Sequence, residues 1–476
     1  MILYLDRSEL SPEGTPSPAV LRWCVRKAEQ AAGRYGKLDR YYRGDHDIFR
    51  RTGDQEVRVA VNYAKYVVDI VLGYYLGDGV KYDPNPRPWN GRQEQNAWRQ
   101  ALGRPEIDLR PLLSCYDRQH ISRLDREIGK TMGVMGECLE LCYASAEGDP
   151  RPRSARIDPR NGILVCDTTV EHNKLFALVW ERREKPTGEQ YYALTCYTDQ
   201  TVRDYCSGDL ETAVFRPVGP AREHYFGAVP VIVYENNSER QGDFEQILSL
   251  IDAYDGLMSS RITDKKKFVD ALLVFFGMTL APGEEEKLLR ERFIDGAPLD
   301  ARAEYIQKTF DEAGVQVLAD ALVREMHKMT LTVDMSDEHF SGNASGQALK
   351  LKLLTMDLLV KGKMGQMERG LKERFRLYNH WLNVKGEMEP VAVEDVDVVF
   401  TVNLPVNESE TVDMVTRLRG MVDDQTLLSQ LWFIKDPAEA VRNLRQQQTR
   451  EGTAGGSACT NNTTGTGRAS GNGLGQ

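Results

Sequence analysis

A chain of 476 residues with 41% hydrophobic and 28% charged residues has the make-up of a folded protein, with room for two to four domains of about 150 residues each. Acidic residues outnumber basic ones, 71 against 61, which argues against a surface built to grip duplex DNA broadly, because phosphate affinity comes from Lys and Arg. The opening "MILYLDRSEL" puts Asp6 inside what a secretory signal needs as an apolar core, and the richest apolar run, "ALLVFFGMTLA", falls short of the roughly 18 residues of a membrane span.

Residues 17–42 carry a helical pattern, and a second helix follows in "NYAKYVVDIVLGYYLG", where Tyr63, Tyr66, Val67, Ile70, Val71 and Tyr74 recur at three- and four-residue steps. "DGVKYDPNPRP" is a short extended piece broken by Pro84, Pro86 and Pro88. A helix is predicted over 114–136. The strand-like runs "ECLELCYAS", "GILVCDTT", "KLFALVWERRE" and "QYYALTCYT" then predict a meander sheet between 137 and 235.

At Asp243 the texture changes. "DFEQILSLIDAYDGLMSSRITDKKKF" sets Phe244, Ile247, Leu248, Ile251, Tyr254, Leu257, Met258 and Ile262 along one stripe of a helix about 40 Å long. Asp243 with Gln246 reads as a capping-box start. Asp252, Asp255, Arg261, Lys265 and Lys266 fall on the other, charged side. With no helical partner adjacent in sequence, the stripe calls for a neighbour from elsewhere, another subunit included.

Residues 269–308 form a compact insertion with an acidic stretch, "PGEEEKLLRERF", and a second long helix is predicted over 311–329. The next stretch, "DMSDEHFSGNASGQALKLKLL", runs a loop with Gly342 and Gly346 into a lysine-bearing helix over 348–381, roughly as a phosphate cradle begins. Asp334, Asp337 and Glu338 stand just upstream, where they would repel a nucleotide. A strand pair is predicted in "VAVEDVDVVFTVNLPV", then a small helical region from 407 that closes on "DPAEAVRNLRQQQ", where Asp436 caps, Pro437 opens and Glu439 completes a box. The last 28 residues, with eight glycines and six threonines, have too little apolar side chain to bury a core and are expected to be disordered.

Signals for chemistry are weak. Gly129, Lys130 and Thr131 end a Walker-like run, but Leu124 stands where its first glycine belongs and the run lies in a helical pattern. Cys138 and Cys142, four apart, would share a helix face, yet nothing nearby completes a zinc set. The eight cysteines therefore read as reduced core thiols of a cytosolic compartment. The carboxylates Asp334, Asp337 and Glu338, Glu284, Glu285 and Glu286, and Asp423 and Asp424 sit in short consecutive runs, the usual look of solvated surface. A two-metal nuclease would need them to converge. No cofactor or metal site and no enzymatic activity are expected.

Several segments together resemble the portal proteins of long-tailed bacteriophages. "LDRYYRGDHDI" followed by "VNYAKYVVDIVLGYYLGDGVKY" is similar to that family's opening, and "HYFGAVPVIVYENNSERQGDFEQILSLIDAYDGLMSSRITD" is the strongest match. "FSGNASGQALKLKL" is similar to the family's segment before its longest helix, and the likeness runs in order from about 38 to 442.

The resemblance implies an α+β, helix-rich subunit of a ring of about twelve copies. Its parts would be a wing over 1–242, a stem helix over 243–268, a clip over 269–308, a second stem helix over 309–333 and a tunnel loop over 334–347. The long helix and wing strands would take 348–406, a crown 407–448 and a disordered tail 449–476. Ser336, Asp337, Glu338, His339, Phe340, Ser341, Gly342, Asn343, Ala344, Ser345 and Gly346 would face DNA in the channel. Lys350, Lys352, Lys265 and Lys266 are candidate DNA contacts, or ordinary solvated surface, and Glu284, Glu285, Glu286 and Arg290 are candidate partner contacts on the clip. The implied partners are double-stranded DNA, the terminase large subunit, a head-completion adaptor, and major capsid and scaffolding proteins, without a membrane. The implied setting is the virion, after assembly in the host cytoplasm. The alternatives are a metal-dependent DNA-processing nuclease and a capsid or tail structural protein without a channel.

Overall fold

The computed structural model describes residues 1–12, 14–51, 57–77, 79–84, 107–144, 148–208, 214–269, 272–276, 302–306, 311–335, 346–402, 408–428, 431, 434 and 440–444. It divides into one compact unit, Met1–Asn403, and a second, Leu404–Gln476. In the first unit α1 (Pro18–Tyr42) starts where Ser17 Oγ accepts the Val20 N–H, and α2 (Tyr63–Leu76) where Asn62 Oδ1 accepts the Lys65 N–H, each an ordinary side-chain cap.

The single helix expected over 114–136 is two, α3 (Arg110–Arg118) and α4 (Ile121–Met135), broken at His120 in the left-handed region. Gln119 explains the break: its amide donates to the carbonyls of Cys115 and Pro152, at 2.8 and 3.0 Å, and accepts from Ser154 N–H at 2.8 Å. The chain leaves α4 at Gly136 (φ 86°), where a Cβ would lie 2.0 Å from the Arg240 carbonyl.

The expected meander is split between two sheets. Strands β5 (Gly162–Cys166), β6 (Lys174–Glu184), β7 (Gln190–Tyr197), β8 (Thr201–Ser207) and β9 (Arg216–Glu223) run in sequence order, and β1 (Ile2–Tyr4) joins β5 in parallel. Strand β3 (Glu137–Ala144), first of the predicted runs, instead pairs with β4 (Pro152–Ile157) and β10 (Val231–Glu235). Leu21, Cys24 and Val25 of α1 pack on Ile163, Phe176 and Leu178 of the larger sheet, and Leu139 and Val231 of the smaller sheet pack against Leu164 and Ala177 of the larger. The outer strand β9 is exposed throughout, and Pro217 and Pro220 blunt it against edge-to-edge pairing.

Cys138 and Cys142 lie on β3, a strand and not a helix, and are buried. Cys24, Cys115, Cys166 and Cys196 are also buried and free, and burial pushes the Cys24 thiol up to about 12. Among the described residues of the strand pair expected in 391–406, β13 (Asp397–Phe400) is a strand and pairs with distant β2 (Val80–Asp83), while Val393–Asp395 makes a single 3₁₀ turn, and residues 403–406 lie outside the described residues.

Among the described residues three long helices follow in this unit, α5 (Leu248–Val269), α6 (Glu312–Thr330) and α7 (Gly346–Val384), with an antiparallel pair, β11 (Leu272–Phe276) and β12 (Arg302–Ile306), between the first two. Asp243, expected to cap α5, is occupied otherwise: its carboxylate takes two bonds from Lys363 Nζ of α7, at 2.7 and 2.6 Å, and one from Asn236, while a 3₁₀ turn at Glu245–Ile247 leads into the helix. In the second unit α8 (Glu408–Leu418) precedes α9 (Asp424–Leu428), whose Thr426 N–H is capped by Asp423. Asp436, Pro437, Glu439 and the Gly/Thr-rich tail lie outside the described residues.

The buried stripe of α7 reads Leu353, Met356, Val360, Lys363, Met367, Leu371, Arg374, Tyr378 and Leu382, steps of three and four that carry two cations into the core. Arg374, fully buried, donates to Asp125 of α4 at 2.6 Å and to Glu140 of β3 at 2.7 Å, and Tyr234 of β10 also donates to Glu140. Burial raises the carboxyl of Asp125, with the Arg374 charge opposing it. Arg374→Met leaves two buried acids without their cation and is expected to cost about 3–5 kcal/mol of stability in this unit. Urea unfolding followed by tryptophan fluorescence measures it, and a loss below about 1 kcal/mol would remove Arg374 from this role.

Candidate functional site

Helix α5 departs from its predicted surroundings on both sides. The apolar stripe is closed by its own chain: Ile251, with Phe244 and Ile247 just ahead of the helix, packs on Tyr35, Leu38 and Tyr41 of α1, Val67 and Val68 of α2 and Met326 of α6. The neighbour sought from another subunit is thus supplied within the subunit over this part of the stripe.

On the other side Asp255, expected in solvent, is fully buried. Its Oδ2 lies 2.5 Å from His46 Nδ1, and its Oδ1 accepts the Val61 N–H at 2.8 Å. His46 Nε2 lies 3.1 Å from the Tyr41 carbonyl, so both ring nitrogens meet a polar partner. One turn further along, Ser259 Oγ accepts the Val59 N–H at 3.0 Å, and after another turn Thr263 Oγ1 accepts the Val57 N–H at 3.4 Å. Four helical residues rise about 6.0 Å and two extended residues span about 6.6 Å, so every second amide of a strap over 57–61 meets a polar side chain.

Salt links join α5 to the start of α6. Arg261 bonds Glu312 and, at 3.0 Å, Gln316, and Lys265 Nζ lies 3.2 Å from Glu312. The hydrogen bond from Arg261 holds the Glu312 carboxyl below the usual range.

The chain leaves α6 through Leu331 in the left-handed region, with the Thr332 N–H returning to the His327 carbonyl. His327 Nδ1 lies 3.2 Å from Thr332 Oγ1, and its ring stands edge-on to Tyr66 of α2, centroids 5.6 Å apart. Tyr66 then clamps the departing backbone: its hydroxyl donates to the Val333 carbonyl at 3.2 Å and accepts the Met335 N–H at 3.0 Å. Tyr63, Tyr66, Tyr254, Arg324, His327 and Asp334 line a cleft of about 1060 Å³ beside this exit. Burial lowers the His327 imidazole below its ordinary 6.5, with Asp334, 3.9 Å away, and Thr332 opposing.

Of the residues singled out from the sequence, Lys265 and Lys266 are exposed on α5, with Lys265 tied to Glu312 as above. Ser336 to Ser345, with Asp337, Glu338, Glu284, Glu285, Glu286 and Arg290, lie outside the described residues. Gly346 opens α7, and Lys350 and Lys352 follow in its first turns, their side chains outside the described ones. Gly129, Lys130 and Thr131 lie inside α4, where Lys130 covers the Tyr42 ring and Thr131 bonds the Glu127 carbonyl. Among the described residues no cluster of three or more His, Cys, Asp or Glu is arranged to hold a metal ion, and no helix is long and apolar enough to cross a membrane. Sequence reasoning missed the Tyr66 clamp and the strap. A signal for the strap existed in the four-residue spacing of Asp255, Ser259 and Thr263.

The family described as "Phage portal protein, SPP1 Gp6-like" matches residues 21–454. A protein named "Portal protein" from Bacillus phage SPP1 is 25% identical over 309 residues, 60% of each chain, and another of that name from Clostridium phage phiCD119 is 23% identical over 225 residues, 46% of this chain and 48% of that one. The chain thus spans 60% and 48% of the lengths of these two relatives.

Two outcomes follow from the exit geometry. Tyr66→Phe keeps the ring and loses both bonds, so amide protection at Met335 is expected to fall about fivefold with global stability nearly unchanged; hydrogen exchange showing equal protection would discard the clamp. His327 titrates lower in the fold than in the unfolded chain, so its contribution is whole above pH 6.5 and is lost as pH falls through its lowered value. Thermal melts across that range should show a loss in the parent that His327→Gln lacks.

Proposed function

The chain belongs to the SPP1 Gp6-like phage portal proteins, and on that premise we propose that copies of it close into a ring of about twelve at one vertex of a phage capsid, around a channel through which DNA is packaged and ejected. The single observation that carries this reading is the family match, which extends from residue 21 to residue 454 and so takes in both α5 and α6 and residues 334–347. In this reading α5 and α6 are the stem, residues 269–308 with β11 and β12 the clip, 1–242 and 348–406 the wing, and 407–448 the crown. Residues 334–347 are the loop facing DNA. The clip, with Glu284, Glu285, Glu286 and Arg290, meets the terminase large subunit and later a head-completion adaptor, and the outer ring meets capsid and scaffolding proteins.

The physics of the chain suits a conduit better than a clamp. An excess of ten acidic residues keeps a moving duplex from being held by phosphate contacts, whose affinity grows with each cation engaged. Lys265, Lys266, Lys350 and Lys352 supply weak, transient contacts against that background. The protein itself performs no catalysis in this reading, and packaging is driven by a separate motor.

Negative-stain microscopy of the purified chain tests the proposal: closed rings with an axial hole are expected, and a population of monomers, sheets or filaments under assembly conditions overturns it. Deleting residues 341–346 should leave those rings intact and sharply reduce packaged DNA in an in vitro packaging assay. Full packaging by the deletion would take the loop out of the channel.

A further inference from the structure

The first turns of α7 are apolar on two sides. Leu353, Met356 and Val360 face the core, while Leu351, Leu354 and Leu358 stand outside it, 72%, 48% and 61% exposed, at steps of three and four that set them on one outward stripe. A helix apolar on both faces is normally covered on both. Beyond the leucines the same outward side carries Gly362 and Gly365, where an added Cβ would meet nothing within 4 Å. Mid-helix glycine weakens a helix relative to alanine, and packing within the chain requires neither of these two.

The cleft at the exit of α6 has the complementary character. Tyr63, Tyr66 and Tyr254 wall it, and Tyr and Arg are residue types enriched where protein surfaces bind one another. Its charged groups are Asp320 and Asp334 against Arg324, with His327 beside them, so it is acidic on balance. The sequence from 346 to 356 has Lys350 and Lys352 and no acid; the next acid, Asp357, is engaged by Lys361 at 2.7 Å. In the single chain the stripe is exposed and the cleft is open.

We propose that the outward leucine stripe of α7 in one copy seats in the Tyr63–Tyr66–Tyr254 cleft of the next copy. The contact rests on the ring reading above and gives it a specific joint. Stripe and cleft are different surfaces of one chain, so the contact is head-to-tail, the kind that a rotation closes into a ring. It also joins the two flanks of residues 336–345 across subunits: each copy's α7, downstream of those residues, is held by the neighbour's segment 333–335, upstream of them. The Tyr66 clamp, the cleft and the leucines then form one continuous joint around the ring.

The test uses the full chain with a benzophenone amino acid at Leu354, mixed with isotope-labelled unsubstituted chain. Irradiation is expected to link Leu354 to labelled peptides containing Tyr63 to Tyr66 or Arg324 to His327. Links confined to one copy, or to another surface of the second copy, overturn the proposal. Microscopy of the same sample separates the two readings: rings with links elsewhere sink the joint and leave the ring standing, whereas absence of rings in the unsubstituted chain sinks the ring itself. As a second measurement, Leu351→Glu, Leu354→Glu and Leu358→Glu together should raise the concentration needed for assembly by more than about tenfold with an unchanged circular-dichroism melt, because the three positions are exposed in the single copy. Asp320→Lys with Asp334→Lys should recover part of that loss. Assembly of the triple variant at the parent concentration would rule the stripe out.

Discussion

Arg374 sits with no exposed surface between Asp125 and Glu140, and the direction of everything built on α7 depends on that placement. A helix of 39 residues packed only by Leu, Met and Val could slide or turn by a few ångströms at small cost, because apolar contact is not directional. A guanidinium shared by two fixed carboxylates has one satisfactory position, and a shift leaves charge unpaired in a region of low dielectric. Lys363, three turns earlier, adds a second such point by holding Asp243 through both carboxylate oxygens. Two pins along one helix fix its register and its rotation together.

The pins lie where the rest of the molecule turns. Asp125 belongs to α4 and Glu140 to β3, so Arg374 ties a helix and a sheet to α7 at one point. Asp243 stands just before α5, and its backbone N–H also bonds the Gly133 carbonyl at 2.7 Å, so the start of the first long helix is fixed against both α4 and α7. Farther along α5 the strap over 57–61 takes over, clasping Asp255, Ser259 and Thr263 in turn. The return helix α6 is joined to α5 near its start by Arg261 and near its end through the shared apolar cluster around Met326. Tyr66 then hands the chain on toward 336. Apart from the Met326 cluster each junction is polar and directional, and the apolar clusters fill the space between them.

For the proposed conduit this division has a plain meaning. A channel through which a long polyanion moves needs a wall that holds its shape, and weak contact with what passes. The buried ion pairs and the strap serve the first need, since their geometry admits one arrangement. Net acidity, 71 acidic residues against 61 basic, serves the second.

Helices α1, α2, α6 and α7 were legible within a few residues, because capping and the apolar step of three to four are local signals that Ser17, Asn62 and Asp311 carry on their own. The family likeness was legible for the same reason: it rests on short ordered segments. What the sequence left open was pairing. It could not separate β3 from the meander, or find β2 as the partner of β13, because strand partners are chosen by packing between residues far apart in the chain, such as Val231 with Leu141 and Asp397 with Asp83. Nor could it tell that Asp243, Asp255, Lys363 and Arg374 are interior: a charged residue at a helical step looks the same whether water or an opposite charge lies beyond it. The sequence by itself determined most of the helices and strands and the family likeness; only the tertiary structure decided the break at His120, the strand partners and which charges are buried, because each depends on a partner brought from elsewhere in the fold.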